Sequence, residues 1–425
     1  MRLAGLRGPG AVALALALGV PAASGQDYRP TLPSDHPAIA YLATRPDDPV
    51  GRLARRLASG EEALAPAADA RGYLPQILAR LGIAADTQML VFSKTSFQAR
   101  HISPDVPRAV FFGDEAAVAW VPGAGSLELT AVDPVLGSVF YEMTVDREGR
   151  PAFDRRPECL TCHVGPNTAG VPGIYVGSVI PGPSGAPLRD QSAIITDHRT
   201  PFIDRWGGWY VTATRGEQRD RANAVALNPA APEELVRESR QNLPSLMGLV
   251  DLAPYPSHTS DIVALMTFEH QTQVTNLLTR VGWEARLAGA GEPAGGEGEL
   301  ARDIDELVAY MLFSGEAPID APIEGPSTFA RTFAARGPRD PGGRSLRDFD
   351  LRTRLFRYPL SYMIYGAAFD ALPTAARNQV YRRLFEVLSG ADDGPAFAHL
   401  TAADRRAILE ILRATKPGLP DYWSR

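Results

Sequence analysis

The chain has 425 residues, of which 45% are hydrophobic and 22% charged, and only two are cysteine. That length and composition suffice for a large apolar core or two domains, and two cysteines are too few for a disulfide-stapled scaffold. The formal net charge is −6 with no basic run, which argues against a nucleic-acid partner.

Residues 1–25 read as a secretory signal peptide. Arg2 and Arg7 precede an apolar run at 11–20, and Ala23-Ser24-Gly25 offers small residues for cleavage. The run is too short to span a bilayer, and no later stretch approaches ~20 uncharged apolar residues. No cysteine follows the leader to carry a lipid anchor. The expected location is therefore the periplasm, with no integral membrane segment after cleavage. Without the leader, 41 basic residues face 49 acidic ones.

Helical spacing appears first at 48–59 and 68–82, where Leu53 and Leu57, then Leu74, Ile77, Leu78 and Leu81, share a face. Short apolar or alternating runs at 89–92, 109–112, 116–121, 127–132 and 138–143 follow, punctuated by Gly113-Asp114, Pro122 to Gly125 and Asp133-Pro134. Such runs predict an antiparallel meander. The β pattern resumes at 174–180, 192–196 and 208–214. Beyond about Asn228 the pattern turns helical. Ser260-Asp261 caps a run from Ile262 to about Leu287, and helical clusters follow at 300–313, 349–369, 375–388 and 402–412. Residues 289–298, rich in Gly, Ala and Glu, read as a flexible connection. The expected fold class is α+β, with a β-rich region at 26–227 followed by a helical region at 228–425.

Cys159-Leu160-Thr161-Cys162-His163 lies in the segment 155–165 between strands and uses both cysteines of the chain. C-x-x-C-H is the spacing at which two thiols form thioethers to haem vinyl groups while the adjacent imidazole reaches the iron. Chance produces it here roughly once in ten thousand arrangements. A zinc site would need two further ligands, and no second C-x-x-C or spaced His pair is visible. A disulfide across two residues would remove little chain entropy. A redox dithiol remains open, because Arg155-Arg156-Pro157-Glu158 can start a helix. The expected cofactor is one covalent haem c with its iron, held by Cys159, Cys162 and the proximal ligand His163.

Several residues are candidates for the far side of the iron. His270 comes first, in Glu269-His270-Gln271 on the long helix, with Met266 one turn earlier. His198, His258, His101 and Met266 itself are the others, and each has a plainer reading as a core or turn residue. Arg155, Arg156 and Arg205 can pair with haem propionates, and Trp206, Trp209 and Tyr210 can pack on the porphyrin. Asp348, Asp350, Arg352 and Arg354 read as a charged helix face without chemistry.

The motif lies deep in a long chain after several strands, unlike the N-terminal position it takes in small class I cytochromes c. Together with Cys159 to His163, three segments carry a wider resemblance: Arg205-Trp206-Gly207-Gly208-Trp209-Tyr210-Val211-Thr212, Ser260-Asp261-Ile262-Val263-Ala264-Leu265-Met266 and Arg344-Ser345-Leu346-Arg347-Asp348-Phe349-Asp350-Leu351. Over most of its mature length the chain resembles a group of large, single-haem, secreted cytochrome c-like proteins. The resemblance implies haem binding and electron transfer and brings no reaction with it. The expected function is thus that of a periplasmic monohaem c-type cytochrome acting with a redox partner that the sequence does not name. The alternative is a haem enzyme or gas sensor with an open distal site, peroxidase-like, and the second alternative is a dithiol oxidoreductase without haem. No residue is assigned a catalytic role.

Overall fold

A computed structural model describes residues 29–189, 191–231, 234–235, 240–292 and 298–424; the expected signal peptide at 1–25 lies outside them. Two helices lead in, α1 (Pro49–Ser59) and α2 (Ala70–Arg80). Asp48 and Asp69 cap them, accepting from Gly51 N at 2.8 Å and Gly72 N at 2.9 Å. Gly60, at φ 75°, ends the first.

Strands β1 (Met89–Val91), β2 (Arg108–Phe112), β3 (Ala116–Trp120), β4 (Ser126–Asp133), β5 (Gly137–Val145) and β6 (Pro151–Arg155) form the expected antiparallel meander. β6 is an addition that the sequence pattern does not announce. After β7 (Val176–Ser178) and β8 (Ile194–Thr196), which pair with each other, β9 (Trp209–Tyr210) joins β1. The large sheet has seven strands in the order β6-β5-β4-β3-β2-β1-β9.

The register sends alternate residues to two apolar cores. Phe111, Val118, Leu129, Val139 and Met143 meet Val50, Leu53, Leu74 and Ile77 of α1 and α2. Val110, Phe112, Ala117 and Ala119 meet the long helix α4 (Ile262–Gly289) and the elements beyond it. Burial on both faces explains why Ala116-Ala117-Val118-Ala119-Trp120 is apolar throughout instead of alternating. Between β6 and β7 lies the one-turn helix α3 (Leu160–His163).

α4 has 28 residues, about 42 Å of helix, and is buried on nearly every side. α5 (Glu299–Met311), α6 (Phe329–Ala335), α7 (Ala367–Asp370), α8 (Thr374–Ser389) and α9 (Ala402–Thr415) complete an α+β architecture. The helical cluster expected at 349–369 is corrected here. Asp350 Oδ1 accepts from Arg352 N at 2.8 Å and Thr353 N at 2.7 Å, and Leu351 sits at φ 58°, so a side-chain-stabilised turn replaces the helix. Only a 3-10 turn at Tyr362–Tyr365 and α7 are helical there, and Asp348 to Arg354 line no helix face. Among the described residues, no helix is long and apolar enough to cross a membrane.

Asp261 anchors the start of α4. One carboxylate oxygen accepts from Val263 N at 2.8 Å and Ala264 N at 3.3 Å, and the other from Ser327 N at 3.0 Å and Ser327 Oγ at 2.6 Å. Asp261→Ala is expected to destabilise the fold by about 2 kcal/mol, from the lost cap and the orphaned buried donors. Urea unfolding should show a lower midpoint with an unchanged slope.

Candidate functional site

The C-x-x-C-H segment starts where β6 leaves the sheet. Arg156 N still donates to Phe140 O at 2.9 Å, and Pro157 then opens a 3-10 turn, Pro157–Cys159, that runs into α3. Cys159 already has helical dihedrals, φ −60° and ψ −28°, so Cys159 and Cys162 lie one turn apart on the same side. Both thiols are free; Cys162 is exposed and Cys159 half-buried.

His163 is held more tightly than either cysteine. Its Nδ1 lies 2.9 Å from the carbonyl oxygen of Gly173, and Gly173 N donates back to His163 O at 3.0 Å. A carbonyl only accepts, so Nδ1 carries the proton and Nε2 keeps its lone pair. The rings of Phe140 and Tyr175 flank the imidazole at 4.8 and 5.7 Å. Burial pushes the His163 pKa down, which favours the neutral, ligating form. Gly173 permits this approach, since a Cβ there would lie 2.1 Å from Asn276 Oδ1 of α4. Asn276 Nδ2 in turn donates to Ile174 O at 2.9 Å. The helix thereby fixes the loop that fixes the imidazole.

Charged groups of the sheet surround this segment. Glu128 on β4 stands opposite Glu142 on β5, a repulsive pairing that ion pairs from Arg108 to Glu128 and from Arg156 to Glu142 offset. Burial, with Glu128 and Glu158 nearby, pushes the Cys159 thiol up to about 11. A redox-active dithiol needs the opposite, a nucleophile with a depressed pKa. Of the two arginines before the motif, Arg155 donates to Tyr41 O at 2.7 Å and Thr44 O at 3.2 Å and lies over the Tyr41 ring, whereas Arg156 joins the charges beside Cys159.

The donor set fits a covalently attached haem: two free thiols one turn apart, and an imidazole whose second-sphere hydrogen bond leaves Nε2 available. Among the described residues, no group of three or more His, Cys, Asp or Glu side chains is placed to share a metal ion. The two thiols and His163 are therefore not arranged to ligate one metal ion together.

Other expected site residues meet elsewhere. Arg205 and Trp206 converge on Glu269, and His198 and His270 pair beside them, all fully buried. Arg205 Nη1 reaches Glu269 Oε2 at 3.2 Å, and Trp206 Nε1 donates to Glu269 Oε1 at 2.9 Å. The remaining Arg205 donors go to Thr200 O at 2.7 Å and His198 O at 2.9 Å. His270 Nδ1 shares a proton with His198 Nδ1 at 3.0 Å, and His270 Nε2 pairs with Ser361 Oγ at 2.8 Å. Phe313 and Tyr310 stack on the His270 ring at 4.2 and 5.4 Å. Burial pushes both histidines well down, so they are neutral. Met266 packs in the apolar core, His258 is exposed, and His101 Nε2 accepts from Arg100 Nε at 2.9 Å. Trp209 Nε1 donates to Gly177 O at 2.8 Å, and Tyr210 OH donates to Pro104 O at 2.7 Å.

Sequence reasoning passed over Glu269, Gly173 and Asn276. The available signal was a run of polar residues, Glu269-His270-Gln271, within a helix whose flanks are apolar; nothing in Gly173 or Asn276 marks them before the loop is placed. Burial raises the Glu269 pKa to about 7, against the pull of Arg205. A carboxyl with a raised folded pKa makes the native state bind the extra proton, so its contribution to stability is complete below about pH 4.5 and is lost as pH rises to about 7. The stability difference between wild type and Glu269→Gln should therefore fall across that window and be flat on either side, as urea titrations at stepped pH would measure.

Compared with known protein families, curated proteins and solved structures, the chain has no match.

Proposed function

We propose that this chain is a periplasmic c-type cytochrome that carries one covalent haem and transfers electrons. The observation that carries the reading is the state of His163: an imidazole locked by Gly173 O with Nε2 free, directly after two unpaired thiols at thioether spacing. Cys159 and Cys162 would hold the haem through its vinyl groups, and His163 would supply the proximal nitrogen. When bound, the haem provides an iron that takes up and returns one electron. The protein fixes the tautomer and orientation of the imidazole and flanks it with Phe140 and Tyr175, and burial raises the pKa of the Cys159 thiol before any attachment. Arg156 and Arg108 keep the nearby glutamates compensated.

One observation favours a second reading, a haem enzyme or small-molecule sensor with an open sixth position. His270 and His198 spend their Nδ1 atoms on each other, and His270 Nε2 on Ser361. Recruiting His270 through either ring nitrogen would break a buried hydrogen bond, at roughly 1–3 kcal/mol for each group left unsatisfied.

Expression of the full chain in a host with c-type maturation, followed by a denaturing haem stain and absorption spectra, tests both readings. Covalent haem is expected in the wild type and absent when Cys159 and Cys162 are both Ala. His163→Ala should retain the covalent haem and lose the wild-type spectrum. A reduced spectrum indifferent to carbon monoxide supports the electron carrier, and one that shifts supports the sensor or enzyme. No covalent haem in the wild type would overturn the proposal.

A further inference from the structure

A cavity of about 310 Å³, away from the cysteines, lies between the β2–β3 turn and the segment that follows α6. Asp114 and Glu115 line it from the sheet side, and Arg336, Arg347 and Tyr362 from the other. Arg347 belongs to the Arg344 to Leu351 segment, for which the haem reading has no use. Its guanidinium packs against the rings of Phe333 and Tyr362, 4.5 and 4.4 Å away and themselves 4.9 Å apart, and the residue is 7% exposed.

The wall is rigid. Arg347 Nη2 donates to Asp114 Oδ2 at 2.5 Å, Tyr362 OH donates to Gln271 Oε1 at 2.7 Å, and Gln271 Nε2 donates to Gly113 O at 2.7 Å. α4 thus ties the two sides of the cavity together. Two buried side-chain atoms of this wall have no hydrogen bond among the described residues, Arg347 Nη1 and Asp114 Oδ1, the latter 3.7 Å from Arg336 Nη2. A buried guanidinium N–H left unpaired costs free energy that a bound acceptor would recover. Both rings pack on the same side of the guanidinium, so its other side and its in-plane N–H edge are not covered by them.

Charge and shape then select the ligand. Two guanidinium groups face two carboxylates, so a phosphate or other dianion would bring uncompensated charge, as would a bare amine. A molecule carrying one anion and one cation balances both sides. Leu81, Met363 and Tyr365 add apolar wall, and the volume lies at the small end of ligand pockets. We infer that this cavity binds a small zwitterion of the α-amino-acid type with an apolar side chain, its carboxylate on Arg347 and Arg336 and its ammonium on Asp114 and Glu115. The site stands whether or not the chain carries haem.

Calorimetric titration of the full chain with L-leucine tests this, with 4-methylpentanoate and 3-methylbutylamine as the two half-molecules. Leucine should bind saturably, and each half-molecule at least about tenfold more weakly. Asp114→Asn, at a partly exposed position, should weaken leucine by about tenfold while circular dichroism stays that of the wild type. Arg347→Lys keeps the charge, loses the planar fork and should weaken it as much. Absence of saturable binding up to about 10 mM leucine, a half-molecule binding as tightly as leucine, or indifference to a folded Asp114→Asn protein would each overturn the inference.

Discussion

Burying α4 on nearly every side is the constraint from which much of the molecule follows. A helix without a solvent face must find a partner for each polar side chain it carries, because an unpaired buried donor or acceptor costs about 1–3 kcal/mol. α4 carries many such side chains; its threonines bond back to the helix's own carbonyls, and others tie down segments elsewhere in the chain. Glu269 takes Arg205 and Trp206, His270 takes His198 and Ser361, Gln271 takes the Gly113 turn and Tyr362, and Asn276 takes Ile174. Arg280 binds Asp303, Pro30 O and Ala169 O, and Trp283 donates to Val135 O. Polar contacts from one helix thereby set the positions of loops that are distant in sequence.

The same economy separates two groups of histidine. His198 and His270 are sealed in with Tyr310 and Phe313, where desolvation keeps them neutral, their Nδ1 atoms bond to each other and His270 Nε2 bonds to Ser361. His163 lies on the charged end of the sheet, with one nitrogen committed to a carbonyl. The first group resembles a structural core and the second a prepared ligand. The difference follows from what each ring nitrogen touches, since all three side chains are chemically identical.

Much of the fold was legible because its strands are short apolar runs bounded by Gly, Pro and Asp, and because Asp261 followed by helical spacing marks the start of α4. β6 was not, since Pro-Ala-Phe-Asp-Arg has no apolar alternation and owes its conformation to pairing with β5. The stretch 349–369 has apolar residues at helical intervals, yet Asp350 turns the backbone by binding the amides of residues 352 and 353. At the candidate site, spacing alone marks Cys159, Cys162 and His163 as a group to consider together. The partners of His270 were not legible, because His198 is 72 positions away and Ser361 is 91, and only tertiary packing brings them together.

The two-faced burial of the sheet has a consequence for the order in which the chain acquires structure. The N-terminal domain segments are made first. When β1 to β5 are complete, α1 and α2 can already cover one face, while the core around Val110, Phe112, Ala117 and Ala119 on the other lacks its long helix until residue 262 and those after it arrive. Throughout that interval Asn276 does not yet exist to hold Ile174, and the loop that presents Gly173 O to His163 is untethered. The nascent chain therefore passes through a stage in which both thiols and the imidazole are accessible and not yet oriented, and the arrival of α4 closes that stage.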